Sequence, residues 1–474
     1  MRLAKLQNFK FSDLNFYHYF FTAYIGLHVT FSLLLGNITA FAPDENVYKD
    51  IFYRVYKTGF TSDVLGFYGA WEPWLRLVYS PAKLLTYLGF SDLLAVRLLA
   101  ISCSTLATYL VVKMARNNYR DTKVFKAAII AISFIPTVFL WSSIGLRESF
   151  LYLEIISILF FLSRIRNKVE LKNMAWLGLS IFSLSMTKNY IFILFLFAFV
   201  ITLILFSIVR PKNLVTHLMI LVLALMPLAV NPTLIPAISS YFSGQLAKPE
   251  SPIPGDINND GNCEKFEFCS GIGNGVVDGF SNGVTDGNGK PLFSVATGGM
   301  TVHVLLYQLK SNPDTVVAKL AMSLGITTAL AKISKSSILI VTDKQVLENQ
   351  KKLSLKQAGL KHPDQMLIAS LKFLLVPFIF IDNGSFFLNI QSVEMPIWLF
   401  VYGLFFVALY QIIRRRRELD YAVVMAILFA FEFVAISALT EINVGTAVRH
   451  RSLLLLPILV IWVARKNKAT PSQT

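Results

Sequence analysis

Charge is what this sequence has least of. Only 15% of its 474 residues are Asp, Glu, Lys or Arg, against 55% hydrophobic, and the mean hydropathy is +0.58. So little polar surface cannot cover the core of a water-soluble globule, and that class is excluded. Acid is scarcer than base: 28 Asp and Glu stand against 44 Lys and Arg, a formal net charge of +16. No aromatic-interleaved basic patch of the kind that grips single strands occurs, so the excess of base does not indicate a nucleic-acid partner. Cysteine is nearly missing, with three in the chain. Cys103 falls in an apolar run, where a thiol serves as a small core filler. Internal repeats and a cytoplasmic domain are also lacking.

What the chain has in abundance is apolar runs long enough to cross a bilayer, which takes roughly 20 residues. The run YIFILFLFAFVITLILFSIV (190–209) is the cleanest. The expected fold is an all-α multi-pass membrane protein with about 10–12 membrane helices. The runs fall at about 17–41, 91–113, 124–144, 149–163, 174–187, 190–209, 214–236, 395–413, 420–440 and 452–464. Basic residues fill the short gaps between them: Arg116, Arg120 and Lys123; Arg164, Arg166 and Lys168; Arg210 and Lys212; Arg414 to Arg417; and Arg465, Lys466 and Lys468. That is the positive-inside pattern of cytoplasmic loops. With these gaps inside, 42–90 lies outside and mixes aromatics, prolines and charges as interfacial amphipathic helices do. Ala40-Phe41-Ala42 imitates a signal-peptidase site, but the long aromatic run before it favours a retained helix. Residues 1–236 form an amino-terminal transmembrane module, 237–365 a large external segment, and 366–474 a carboxy-terminal module. Stretch 366–382 is interrupted by Lys372 and Pro377 and is expected to be re-entrant or interfacial rather than a crossing.

Charges at the outer ends of such helices are functional candidates, because water is excluded there. Asp44 and Glu45 follow the first run in PDENVY, and a carboxylate there can take a proton from an attacking hydroxyl. Arg147 and Glu148 occupy the tight turn of WSSIGLRESF, with Glu154 one or two helical turns deeper. Lys188 sits in a second tight turn, and Arg97 near the outer end of the second run. A solvated loop, a local ion pair and a snorkelling lysine are the plainer readings of these. Arg449, His450 and Arg451 in NVGTAVRHRSLLLLP are the more specific signal, since a basic cluster on the outer side opposes the positive-inside rule. Arginine forks suit phosphate. Together these groups describe an external cavity in which Arg147, Lys188, Arg449, His450 and Arg451 hold a phosphate and Asp44, Glu45 or Glu148 activates a hydroxyl.

The stretch DINNDGNCEKFE (256–267) meets a calcium-loop pattern. Asp256, Asn258, Asp260, Asn262, Glu264 and Glu267 stand at positions 1, 3, 5, 7, 9 and 12, with Gly261 at the turn. Pro252 and Pro254 leave no room for an incoming helix, so a structural Ca2+ loop is expected rather than an EF-hand. Cys263 and Cys269 can pair if the loop faces an oxidising compartment.

With those residues in hand, the chain resembles the GT-C class of integral-membrane glycosyltransferases. The acidic PDENVY after the first run, GFSDLLAVRLLAISCSTLATYLVV (89–112) and the outer arginine cluster carry the resemblance. The carboxy-terminal third is also similar to membrane proteins of bacterial polysaccharide clusters, some of them repeat-unit polymerases. The resemblance implies a GT-C-like bundle and a polyprenyl-phosphate-linked sugar donor with a glycan, lipid or protein acceptor. It further implies no nucleotide cofactor, and a bacterial inner membrane with the site facing away from the cytoplasm. By it, Asp44 is the catalytic carboxylate with Glu45 beside it, and Arg449 and Arg451 contact the lipid phosphate. The 245–292 insert and the lack of a carboxy-terminal soluble domain depart from the class. A repeat-unit polymerase and a lipid-linked-glycan flippase are the rivals; a flippase should carry charges along a central path.

Overall fold

The computed structural model describes residues 11–39, 42–61, 72–118, 123–165, 169–231, 234–235, 309–310, 313–328, 366–377, 391–414, 420–440 and 444–464. All regular structure among them is helical. The chain opens with α1 (Phe11–Leu35), α2 (Pro43–Thr58), α3 (Glu72–Tyr87) and α4 (Asp92–Asn118). Two short helices follow, α5 (Lys123–Ser133) and α6 (Pro136–Ser143), and then α7 (Glu148–Ile165), α8 (Leu171–Thr187), α9 (Asn189–Val209) and α10 (Leu214–Val230). The later part holds α11 (Val316–Ser323), α12 (Met366–Leu375), α13 (Met395–Arg414), α14 (Tyr421–Thr440), α15 (Val444–Arg451) and α16 (Leu455–Ala464).

Among the described residues seven helices are long and apolar enough to cross a bilayer: α1, α4, α9, α10, α13, α14 and the continuous α15–α16. The protein is an integral membrane protein. The pair α5 and α6 makes an eighth crossing if taken as one span, bent by 63°. The expected count of about ten to twelve also took in α7 and α8. The first carries Glu148, Glu154 and Arg164, and the second is 17 residues long, yet both pack lengthwise among the longer helices. At ten residues α12 reaches about 15 Å, half the hydrocarbon thickness, so it does not cross by itself.

Local chemistry sets the breaks. Gly36, at φ +51°, ends α1 six residues before the predicted boundary. Pro136 takes the first position of α6, and Ile135 before it is extended (φ −55°, ψ 124°), as a residue preceding proline must be. The break frees amide groups at the start of α6. Glu394 fills the need: its carboxylate accepts from the Thr137 amide at 2.7 Å and the Thr137 hydroxyl at 2.6 Å.

The two halves meet around one rod. Of the span Ala447–Ala464, 94% is buried inside the protein, against 22–61% for the other six. From Leu455 to Ala464 it is apolar on every side, and a helix so enclosed gains little from water exclusion inside a membrane; packing of side chains holds it. Helices α2 and α3 lie outside this core and form a second one, where Ile51, Phe52 and Val55 meet Trp74, Val78 and Ala82.

Short antiparallel connections give the bundle two unlike ends. Arg116, Arg164 and Arg414 occupy the last turns of α4, α7 and α13, where cations favour the helix dipole. Arg210 follows α9 at the same end, where His217 of α10 bonds the Tyr421 hydroxyl at the start of α14, 2.6 Å away. The opposite end gathers Glu45, Arg147, Glu148, Lys188, Arg449 and His450.

Candidate functional site

The site end is built on one arginine. Arg97 of α4 is 1% exposed, and its Nε and Nη2 grip Glu45 of α2 at 2.7 and 2.9 Å. Its other bonds go to carbonyls where α1 ends: Nη1 to Ser32 at 3.1 Å and Gly36 at 2.8 Å, Nη2 to Ile38 at 2.9 Å. Those carbonyls have no partners within the helix, and the guanidinium caps them. Glu45 also accepts the Gly145 amide at 2.8 Å. One ion pair thus ties α1, α2, α4 and the turn after α6. Gly145 must be glycine for this approach, because a Cβ there would lie 2.8 Å from Val96 Cγ1.

That turn delivers Arg147 and Glu148. Glu148, 1% exposed, begins α7 and faces Arg449 Nε at 3.0 Å and Lys188 Nζ at 3.8 Å. Lys188 stands between α8 and α9, its backbone extended (φ −157°, ψ 96°), which swings its side chain off both helix axes. Its ammonium lies 2.6 Å from His450 Nε2. The Tyr190 hydroxyl is 3.4–3.5 Å from the same ring. Arg147 reaches back to the Thr187 carbonyl at 3.4 Å and lies 5.8 Å over the Tyr48 ring of α2. The structure therefore brings Arg147, Glu148, Lys188, Arg449 and His450 into one cluster, rich in cations and open at Arg449, whose side chain is 18% exposed.

Arg451 goes elsewhere. It is fully buried and its Nη1 donates to the Leu374 and Val376 carbonyls at 2.6 and 3.0 Å, where α12 ends, with its guanidinium 4.4 Å over Trp398. Two positions apart on a helix means about 200° of rotation, so Arg449 and Arg451 face opposite sides of α15. The Arg-His-Arg run supplies two residues to the cluster and one to holding α12.

Sequence reasoning gave no role to the polar groups beneath. Ser452 joins the hydroxyl of Tyr152, one turn below Glu148, and donates to the Arg449 carbonyl at 2.6 Å. Tyr24, Ser104, Thr108, Ser142, Tyr152 and Ser452 line a narrow cavity in the bundle, suited by its size and hydroxyls to water. Their only sequence signal was hydroxyls recurring in otherwise apolar helices.

Of the remaining predicted residues, Asp44 is placed on the first turn of α2, next to the anchored Glu45; its side chain lies outside what the structure describes. Asp256, Asn258, Asp260, Asn262, Glu264, Glu267, Cys263 and Cys269 lie outside the described residues. Among the described residues, no three His, Cys, Asp or Glu side chains stand close enough to hold a metal ion. No family model, no curated protein and no solved structure matches the chain.

Proposed function

We propose that the protein is a membrane glycosyltransferase that takes a sugar from a polyprenyl-phosphate-linked donor at the extracytoplasmic face. The observation that carries this reading is the cluster of Arg147, Lys188, Arg449 and His450 around Glu148, at the end of the bundle away from the basic loops. By the positive-inside rule the basic end is cytoplasmic, so the cluster faces out.

Guanidinium and ammonium groups fixed before the reaction stabilise a phosphate as charge develops on it. In this scheme Arg449, whose side chain is 18% exposed, meets the phosphate first, with Lys188 and Arg147 beside it. Glu148 holds the cations apart and oriented. Glu45 is engaged by Arg97 and Gly145 on both oxygens, so it serves as the anchor that fixes α2, and Asp44 is the base. Asp44 takes the proton of the acceptor hydroxyl, the acceptor oxygen bonds to the anomeric carbon, and the bond from that carbon to the phosphate oxygen breaks. The electron pair leaves with the lipid phosphate. The acceptor is a glycan, lipid or protein.

Asp44→Asn should lower transfer from a polyprenyl-phosphate sugar about 10²–10⁴-fold, the range of a lost general base, and Arg449→Ala should raise the donor concentration needed. Full activity of both variants removes the assignment. Product length from lipid-linked oligosaccharides separates a polymerase from a single-sugar transferase, and movement of labelled lipid without a new glycosidic bond identifies a flippase.

A further inference from the structure

Helix α11 is apolar over most of its circumference, yet the protein covers only part of it. Both of its ends are set by local chemistry. Thr315 caps the start, its hydroxyl accepting from the Ala318 amide at 3.2 Å. Gly325, at φ +68°, stops it and donates to the Met322 carbonyl at 3.1 Å. The helix packs on α1, and at their junction a Cβ on Gly36 would lie 3.6 Å from Thr315 Cγ2. Ala318 and Ala321, three apart on one face, are buried.

Large apolar side chains flank that buried face on both sides. Val316, Leu320 and Leu324 recur every fourth residue and make one shoulder, and Met322 makes the other. All four are 46–64% exposed. Lys319, 3.6 Å from the Asp314 carboxylate, and Ser323 take the remaining edge, and both are exposed. A polar edge opposite the packed face, with apolar shoulders between them, is the pattern of a helix lying in a membrane interface. A protein docked from one direction would cover one shoulder, whereas lipid reaches both. The level fits as well. Helix α11 begins where the membrane-crossing α1 ends, and the last turn of α1 itself exposes Leu33 and Leu34. That is the end of the bundle where Arg97 caps the Ser32 and Gly36 carbonyls, the end that holds the ionic cluster.

We propose that α11 is an in-plane membrane anchor at the cluster end of the bundle. Val316, Leu320, Met322 and Leu324 lie among the upper acyl chains of that leaflet, and Lys319 and Ser323 lie among the headgroups. The segment 237–365, expected outside, is then pinned to the bilayer at 316–324 as well as joined to it at its two ends. The pin stands beside the Gly36 carbonyl that Arg97 holds.

The test uses the full chain in lipid nanodiscs, with Cys103→Ser, Cys263→Ser and Cys269→Ser, and a nitroxide on one new cysteine at a time. At Leu320→Cys and Leu324→Cys, collisions with oxygen, which concentrates among acyl chains, should exceed those with a water-soluble nickel chelate. The depth read from that ratio should be about 5–10 Å below the headgroups. At Lys319→Cys the order should reverse. Chelate-dominated collisions at all three positions put the helix in water and overturn the proposal. Loss of collisions with both reagents at 320 and 324 means a protein surface, a second copy included, and overturns it too. If the chain without its native cysteines does not fold, the wild type replaces it, in nanodiscs doped with a phospholipid carrying a diazirine near the top of its acyl chain. Label on 316–324 as well as on α1 then supports the anchor, and label on α1 alone overturns it. None of these readouts depends on glycosyl transfer.

Discussion

Arg97 shows how one side chain decides a local fold. Replacing it with Met leaves Glu45 buried without a counter-charge, held only by the Gly145 amide, and uncaps the end of α1, and breaking a buried pair this way costs about 3–5 kcal/mol. Denaturation of Arg97→Met in detergent should show that loss, and adding Glu45→Leu should recover part of it; equal losses in the single and double variants count against the pairing. In the sequence, Arg97 and Glu45 were visible as charges at helix ends, but their partnership spans 52 positions and no local spacing announces it. The Arg449–Arg451 run was visible too. Helical geometry, rather than composition, sends its two arginines to different places. Glu148 and Lys188 came together as expected because each occupies a turn too tight to put its charge anywhere but the bundle's end.

The broken helix α5–α6 was predicted as one span over 124–144 because its apolar pattern runs on past Lys126 without a further charge. Pro136 was the signal that it could not be straight. What the sequence could not supply was the distant Glu394 that satisfies the freed amide. Glu394→Ala leaves the Thr137 amide and hydroxyl buried and unpaired, which should cost about 1–3 kcal/mol. Glu394→Gln, which keeps an acceptor, should cost less. Thermal unfolding of the two variants checks the order, and equal loss would show that the contact is incidental. The rod α15–α16 was predicted only over 452–464. Its first two turns hold Arg449, His450 and Arg451, and their polarity hid them from a hydropathy argument although they continue the same axis.

For the molecule as a whole, the alternation of basic gaps was enough to give two unlike ends, since short loops force neighbouring helices to be antiparallel. The crossing count was harder, because α7 and α8 have the burial of spans but carry charges or stop short. By the positive-inside rule 256–267, outside the described residues, is expected to share the proposed outer side of the cluster, where weak calcium binding suffices for occupancy. Millimolar calcium should raise the melting temperature of the wild type, and an Asp256→Ala, Asp260→Ala variant should melt at the same temperature with or without it. A wild type indifferent to calcium removes the ion from the account.

Arg449 and Arg451 share one rigid turn of α15 yet hold opposite neighbours, the cluster on one side and the end of α12 on the other. That turn is an axle. An occupant that turns the α15 backbone in drawing Arg449 outward would rotate Arg451 against the Leu374 and Val376 carbonyls, and the site and α12 would then move as a linked pair. Substitutions in α12 that touch nothing in the cluster should therefore be felt there as a change in how firmly Arg449 is held.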